Sequence, residues 1–278
     1  MEQQPSVRDW SELPLDALTL VFAGLGAVDV LMGAGLVCRS WLEAAKGPEL
    51  WRKVDMGRGP RDKEVMLKNR DDSLDHSMFR KVVFGRPSLC EMAKVAVNRS
   101  NGRLEEFAGS NFVTDEILNY IGARSPSLKR LALLTCYHVT SQGFTNLLTN
   151  CPLLEDIEVS GCVGVRGDAM VATGRACLRL KWLVLDKTWR RRWDRGEVAS
   201  ISMMHELRHL SLACCEITND EPMAVVDACP CLDYLSVVNC YNIVTDDALR
   251  AKCATVKTLE LPTSQDHHYD WDEFYAYE

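Results

Sequence analysis

Leu180-Lys181-Trp182-Leu183-Val184-Leu185 is one copy of a phrase, L-x-x-L-x-L in type, that returns seven times between Leu104 and Leu261. Its anchor positions are Leu104-Phe107-Gly109, Leu128-Leu131-Leu133, Leu154-Ile157-Val159, Leu180-Leu183-Leu185, Leu207-Leu210-Leu212, Leu232-Leu235-Val237 and Val256-Leu259-Leu261, at intervals of 24 to 27 residues. All but Gly109 are apolar in a chain that is 47% hydrophobic, so chance would fill only about half of them. Self-similarity at this period means a stack of units, each with one short strand and one helix and none able to bury its apolar face alone. The phrase therefore predicts an α/β solenoid arc, with parallel strands on the concave face and helices on the convex face.

Within each strand successive side chains point to opposite sides, so the residue before the second anchor faces the concave surface. Across the repeats that position reads Glu106, Arg130, Asp156, Trp182, His209, Tyr234 and Thr258. Large rings on an exposed sheet face serve no core, and Trp and Tyr dominate many binding surfaces. A target-binding patch is expected at Trp182, His209 and Tyr234, flanked by Arg130 and Asp156; the competing reading is that the rings only cover the sheet. The fourth repeat adds Trp189-Arg190-Arg191-Arg192-Trp193-Asp194-Arg195. Trp189, Arg190 and Trp193 border the patch in this reading. The loop also fits simple packing on the solenoid edge, or contact with RNA or an acidic partner.

Between phrases lie helix starts such as Val113-Thr114-Asp115, Val139-Thr140-Ser141, Ile217-Thr218-Asn219 and Val244-Thr245-Asp246, where the Thr is placed to cap. Thr218 and Glu221 have capping-box spacing. Cys136, Cys162, Cys215 and Cys240 fall eight residues after the first anchor, and Cys151, Cys177, Cys229 and Cys253 three before the next. Repeat phase thus accounts for eight of the twelve cysteines as buried columns of reduced thiols. No metal site is expected, because no Cys pair has finger-like spacing with a His pair, and no cofactor is implied. This cycle of strand, Cys turn, helix and Cys-Pro exit resembles the cysteine-containing class of leucine-rich repeats.

Working outward, the net charge of −7 is concentrated at the end, where Asp266, Asp270, Asp272, Glu273 and Glu278 leave −2 for residues 1–262. Such a balance does not point to a nucleic-acid partner. There is neither an eighteen-residue apolar run nor a basic-then-apolar N-terminus, so no membrane partner is expected and the nucleus or cytoplasm is the expected location. Residues 1–7 and the acidic, aromatic tail 263–278 are expected to be disordered.

Ahead of the repeats, Leu13-Pro14-Leu15-Asp16-Ala17-Leu18 runs on to Phe22, followed by Leu36-Val37-Cys38-Arg39-Ser40-Trp41 and Pro48-Glu49-Leu50-Trp51. Three short helices in under fifty residues form too small a core for this many large apolar side chains. The second apolar segment contains Gly33 and Gly35, so its helix is expected to be short or broken. The three blocks, in this order, resemble the F-box, and an F-box ahead of leucine-rich repeats resembles the plant F-box/LRR-repeat proteins. That resemblance implies docking onto a Skp-type adaptor and, through it, a cullin. It assigns Leu13, Pro14, Leu18, Phe22, Val37, Trp41 and Trp51 to positions that pack the module or face the adaptor. The expected organisation is an F-box over 8–56, a linker over 57–77 with a helix near 64–68, a solenoid cap over 78–100 and repeats over 101–262.

The function expected from this reading is substrate recognition for an SCF-type ubiquitin ligase, with the F-box holding the ligase and the repeats holding an unidentified target protein. The chain itself is not expected to be an enzyme. It has no G-x-S-x-G, Walker loop, G-x-G-x-x-G or H-E-x-x-H, and His138, His205 and His209 all sit in repeat contexts. The alternatives are a repeat scaffold with no ligase role, binding of RNA or an acidic partner through loop 189–195, and a small-molecule co-receptor, for which a shallow arc offers little enclosed volume.

Overall fold

The computed structural model describes residues 9–57, 86–187, 198–240 and 242–262. Residues 1–8, most of the linker with the helix expected near 64–68, loop 188–197 and the tail lie outside them. So do the first residues of the expected cap and, within the loop, Trp189, Arg190 and Trp193.

Each of the seven phrases forms a strand: β2 Glu106–Ser110, β3 Arg130–Leu134, β4 Asp156–Ser160, β5 Trp182–Asp186, β6 His209–Ala213, β7 Tyr234–Val238 and β8 Thr258–Glu260. They pair in parallel and in chain order, the register running Glu106, Arg130, Asp156, Trp182, His209, Tyr234, Thr258. The anchors point the other way and are enclosed, as Leu131, Ile157, Leu183, Leu210 and Leu235 show. Gly109 departs from the phrase for a steric reason, since a Cβ there would stand 2.4 Å from Val113 Cγ2.

An eighth strand precedes the seven. β1, Lys53–Met56, pairs in parallel with β2 and heads the sheet. Trp51, Val54 and Met56 carry the anchor spacing of the phrase and are as buried as its leucines. The F-box boundary expected at residue 56 therefore runs through the end of the sheet, because the last residues of that block are also the first strand of the solenoid.

On the convex side stand α5 Asp115–Arg124, α6 Ser141–Asn150, α7 Gly167–Ala176, α8 Asp220–Ala228 and α9 Asp247–Lys252. Thr114 and Thr140 cap as expected, accepting from the backbone N–H of Ile117 and Gly143. At α8 the carboxylate of Glu221 accepts from both the N–H and the hydroxyl of Thr218, which supplies the backward half of a capping box. At α9 the cap is Asp246, which accepts from Leu249 N–H at 2.8 Å, while Thr245 donates to Pro262 O. A carboxylate at a helix start also complements the helix dipole, so the neighbour of Thr takes the position. Between β5 and β6 the repeat carries a 3₁₀ segment, Val198–Met203, among the described residues.

The strand exits share a backbone signature. Asn111, Thr135, Gly161, Cys214 and Asn239, each seven residues after a first anchor, have φ between 51° and 65°. Thr135 and Cys214 hold this left-handed conformation at a steric cost that Gly161 avoids. The eight in-phase cysteines follow or precede these turns and are all buried. Their thiols also bond the backbone: Cys162 Sγ accepts from Cys136 N–H at 3.4 Å, and Cys240 Sγ from Cys215 N–H at 3.2 Å. Burial pushes Cys151 and Cys177 up to about 12 and Cys229 to about 11, which keeps these thiols protonated near neutral pH.

The N-terminal module comprises α1 Leu15–Ala23, α2 Ala27–Met32 and α3 Arg39–Lys46. The second helix breaks at Gly33, and the chain continues as a 3₁₀ turn, Ala34–Leu36, in accord with the expected weakness of that segment. Gly35 is needed there, because a Cβ would lie 2.8 Å from Val30 O. A further helix, α4 Arg86–Arg99, covers the first repeat and touches the module. Ala45 O accepts from Trp51 Nε1 at 2.8 Å and from Arg99 at 3.1 Å, and the Arg99 guanidinium lies 5.4 Å over the Trp51 ring. Module, cap and repeats thereby share one continuous core. Among the described residues no helix is long and apolar enough to cross a membrane.

Candidate interaction surfaces

Parallel register decides the first surface, since it sets equivalent residues of neighbouring repeats side by side. Trp182 and His209 stack with ring centroids 3.4 Å apart, and His209 and Tyr234 at 4.0 Å, each pair within 4° of parallel. The three rings expected to form a patch are thus one continuous stack. His209 is its inner layer: burial between two rings disfavours the charged imidazolium and holds its pKa at about 4. The Trp182 end is open, with 42% of the residue exposed. At the other end Tyr234 lies beside exposed Thr258, and burial, followed by a hydrogen bond with Glu260, raises its phenol above the ordinary range.

The charged flank stands beside Trp182. Arg130 donates to Asp156 Oδ2 at 2.7 Å and reaches Glu158 at 3.9 Å. The Asp156 side chain is only 18% exposed, and its Oδ1 is buried with no hydrogen-bond partner among the described residues. Burial raises the carboxyl to about 6; Arg130 pulls it down, while Glu158 and Glu106 push it further up. At the far end of the face Lys53 pairs with Glu106 at 2.5 Å.

Below the concave column runs a ladder of ion pairs that the phrase analysis missed. Arg52 and Lys129 flank Glu105, Lys181 pairs with Glu155, and Arg208 and Lys257 flank Asp233. The signal was present, because the residue after each first anchor is always charged and nearly alternates in sign. Exposed pairs of this kind contribute little stability each, but like charges on adjacent strands would repel.

The second surface is the F-box end. Leu18, Phe22 and Trp51 are fully enclosed, so the structure gives them a packing role and no access to a partner. Leu13 and Trp41 are half-buried against that core; Trp41 meets Phe22 edge-on at 5.5 Å and donates its indole N–H to Trp10 O. Pro14 and Val37 are exposed. Leu15, Leu20, Val21, Leu25, Met32 and Leu36 are exposed as well, and sequence reasoning did not single them out as docking positions. Helical spacing could not separate Leu15 and Leu25 from Leu18 and Phe22, since at about 3.6 residues per turn all four fall on one side. Of the fourteen large exposed hydrophobic residues among those described, eight lie within residues 10–37, so the exposure is concentrated in this module.

Fold and surfaces together define a class of architecture: a small helical module fused to a repeat arc with a ring-bearing concave face. The F-box-like family matches residues 10–57. Three curated proteins of Arabidopsis thaliana are similar along most of the chain. The putative F-box/LRR-repeat protein 23 is 32% identical over 94% of this chain and 55% of its own length, so the chain spans about half of that relative. The F-box protein SKIP19 is 32% identical over 94% of this chain and 80% of its own length. The putative F-box/LRR-repeat protein 9 is 30% identical over 85% and 89%. The chain belongs to the F-box/LRR-repeat proteins.

Proposed function

We propose that the chain is the substrate-recognition subunit of an SCF-type cullin-RING ubiquitin ligase: the F-box docks on a Skp-type adaptor, which joins it to a cullin, and the repeats hold a protein target for ubiquitination. The chain contributes no chemistry in this reading; it raises the rate of ubiquitin transfer by holding the target close to the transferring subunits. The observation that carries it is the contrast between a buried Leu18, Phe22 and Trp51 core and the exposed Leu20, Leu36 and Val37 around it. Large apolar side chains left in water at one end of an otherwise well-buried chain are explained by a partner that covers them. The location consistent with this role is the nucleus or cytoplasm.

The target site proposed is the ring stack Trp182, His209 and Tyr234 with Arg130 and Asp156, joined by Trp189, Arg190 and Trp193 of the adjoining loop. Affinity purification tests both halves. Replacing Leu36 and Val37 together by Asp should abolish co-purification of Skp-type adaptor and cullin, and undiminished recovery of both would sink the adaptor role. Replacing Trp182 and Tyr234 together by Ala should keep the adaptor and lose the target, and a mutant that retains every partner would eliminate the patch.

A further inference from the structure

We infer that the open end of the ring stack takes an arginine side chain of the target, its guanidinium lying flat on Trp182 with its charge against Asp156. This rests on the concave patch being the target site and names what that site selects. One face of the Trp182 ring is covered by His209 at 3.4 Å, and the near-parallel rings run across the strands, so the other face looks toward the next strand. On that strand the residue in register is Asp156. An exposed indole face beside a carboxylate is a site for a flat cation, because the ring attracts the charge while the plane of the guanidinium matches the plane of the indole.

The electrostatics favour a cation over a neutral ring. His209 is uncharged at neutral pH, so the stack brings no positive charge of its own. The Asp156 carboxylate pairs with Arg130 through Oδ2 at 2.7 Å, while its Oδ1 is buried and accepts nothing among the described residues, so burial leaves the charge under-solvated despite that one partner. A neutral aromatic group seated on Trp182 would deepen the burial of that carboxylate and give nothing back, whereas a guanidinium brings an opposite charge to it. The far end of the stack repeats the arrangement in outline, with Glu260 two residues along the strand from Thr258 and exposed. A segment crossing the face would meet carboxylates at both ends of the stack.

The test uses the full chain labelled with nitrogen-15 and three short synthetic peptides of equal length, carrying arginine, citrulline or tryptophan between glycines. The indole N–H resonance of Trp182, assigned from its loss in Trp182→Phe, is the readout. The arginine peptide should shift that resonance saturably, with citrulline and tryptophan peptides at least about tenfold weaker. Asp156→Asn should weaken the arginine peptide by about tenfold while the other indole signals stay in place. Citrulline or tryptophan binding as well as arginine, or Asp156→Asn binding unchanged, would overturn the inference. If target capture is lost in the Trp182 and Tyr234 double variant but the peptides do not discriminate, the patch stands and only its selectivity for arginine falls. If the arginine peptide discriminates but the double variant keeps its target, the proposed target site falls instead.

Discussion

The F-box end and the repeat arc use the same side chains under different rules. In the arc, a leucine at an anchor position is enclosed in every repeat but the last, where Leu259 and Leu261 are half-buried, because each unit covers the face of the one before it. In the F-box end, neighbouring helix positions diverge: Leu18 and Phe22 have no exposed surface while Leu20 is 77% exposed. A repeat finds its covering surface in the next copy of itself. A module of three short helices has no next copy, and part of its apolar surface stays in water until something else covers it.

That difference sets the largest expected effects. Leu183→Ala or Leu210→Ala removes an enclosed anchor shared by adjacent repeats and should cost about 2–5 kcal/mol. Phe22→Ala should cost about 3–5 kcal/mol, since that ring fills the small core of the F-box end. Because the core is continuous from Leu18 to Val256, each variant should lower a single thermal transition. Two separate transitions, with Phe22→Ala moving only one of them, would show that the modules are energetically independent despite the shared strand β1.

How much of this was legible beforehand follows the same division. The strands, their register and the stack of Trp182, His209 and Tyr234 could be read from the phrase, because a parallel arc turns equal sequence phase into spatial adjacency. A cover for the first repeat was expected over 78–100 for a related reason, and the helix Arg86–Arg99 lies within that span. Strand β1 was missed although Trp51, Val54 and Met56 keep the anchor spacing: its distance of 53 residues from Leu104 breaks the period, and Trp51 had already been absorbed into the F-box blocks. The exposed apolar residues of the F-box end were not separable from the packing residues, because helical spacing gives the direction of a core and not which of its members the core reaches. The caps lie between these cases: Thr114 and Thr140 were legible, but two adjacent candidates, Thr245 and Asp246, are decided by local geometry.

The caps supply the next effect in size. Asp246→Ala should cost about 1 kcal/mol by leaving the Leu249 N–H without its acceptor, and Thr245→Ala should cost less. Equal losses from both, measured by denaturant unfolding, would return the cap to Thr245. Acid titration sharpens the picture on the concave face, where β4 and β6, on either side of β5, carry groups shifted in opposite senses. His209 titrates at about 4 when folded against 6.5 ordinarily, so the unfolded chain binds the extra proton between those values and stability falls as pH drops through that window. Asp156 titrates at about 6 against 3.8, so here the folded chain binds the extra proton and stability rises as pH drops from about 6 to 3.8. His209→Phe should therefore make the protein more resistant to acid, and Asp156→Asn should remove the compensating gain. Melting temperatures between pH 7 and pH 4 that move together in both variants would contradict the opposed shifts.

The smallest expected change in stability probes the F-box end most directly. Leu20 lies in α1 between Leu18 and Phe22, yet points away from the core that both of them fill. Replacing it with Asn removes no intramolecular packing, and a surface substitution of this kind should change stability by no more than about 0.5 kcal/mol. Adaptor binding should fall by far more, because the same side chain would be buried in the complex and a polar amide there would lack a partner. A loss comparable to that of Phe22→Ala would mean that Leu20 is covered within the chain, and the F-box end would then obey the same rule as the arc. Unchanged stability with weakened adaptor binding leaves the distinction in place: apolar positions in the repeats are spent on folding, and in the F-box end they are divided between folding and docking.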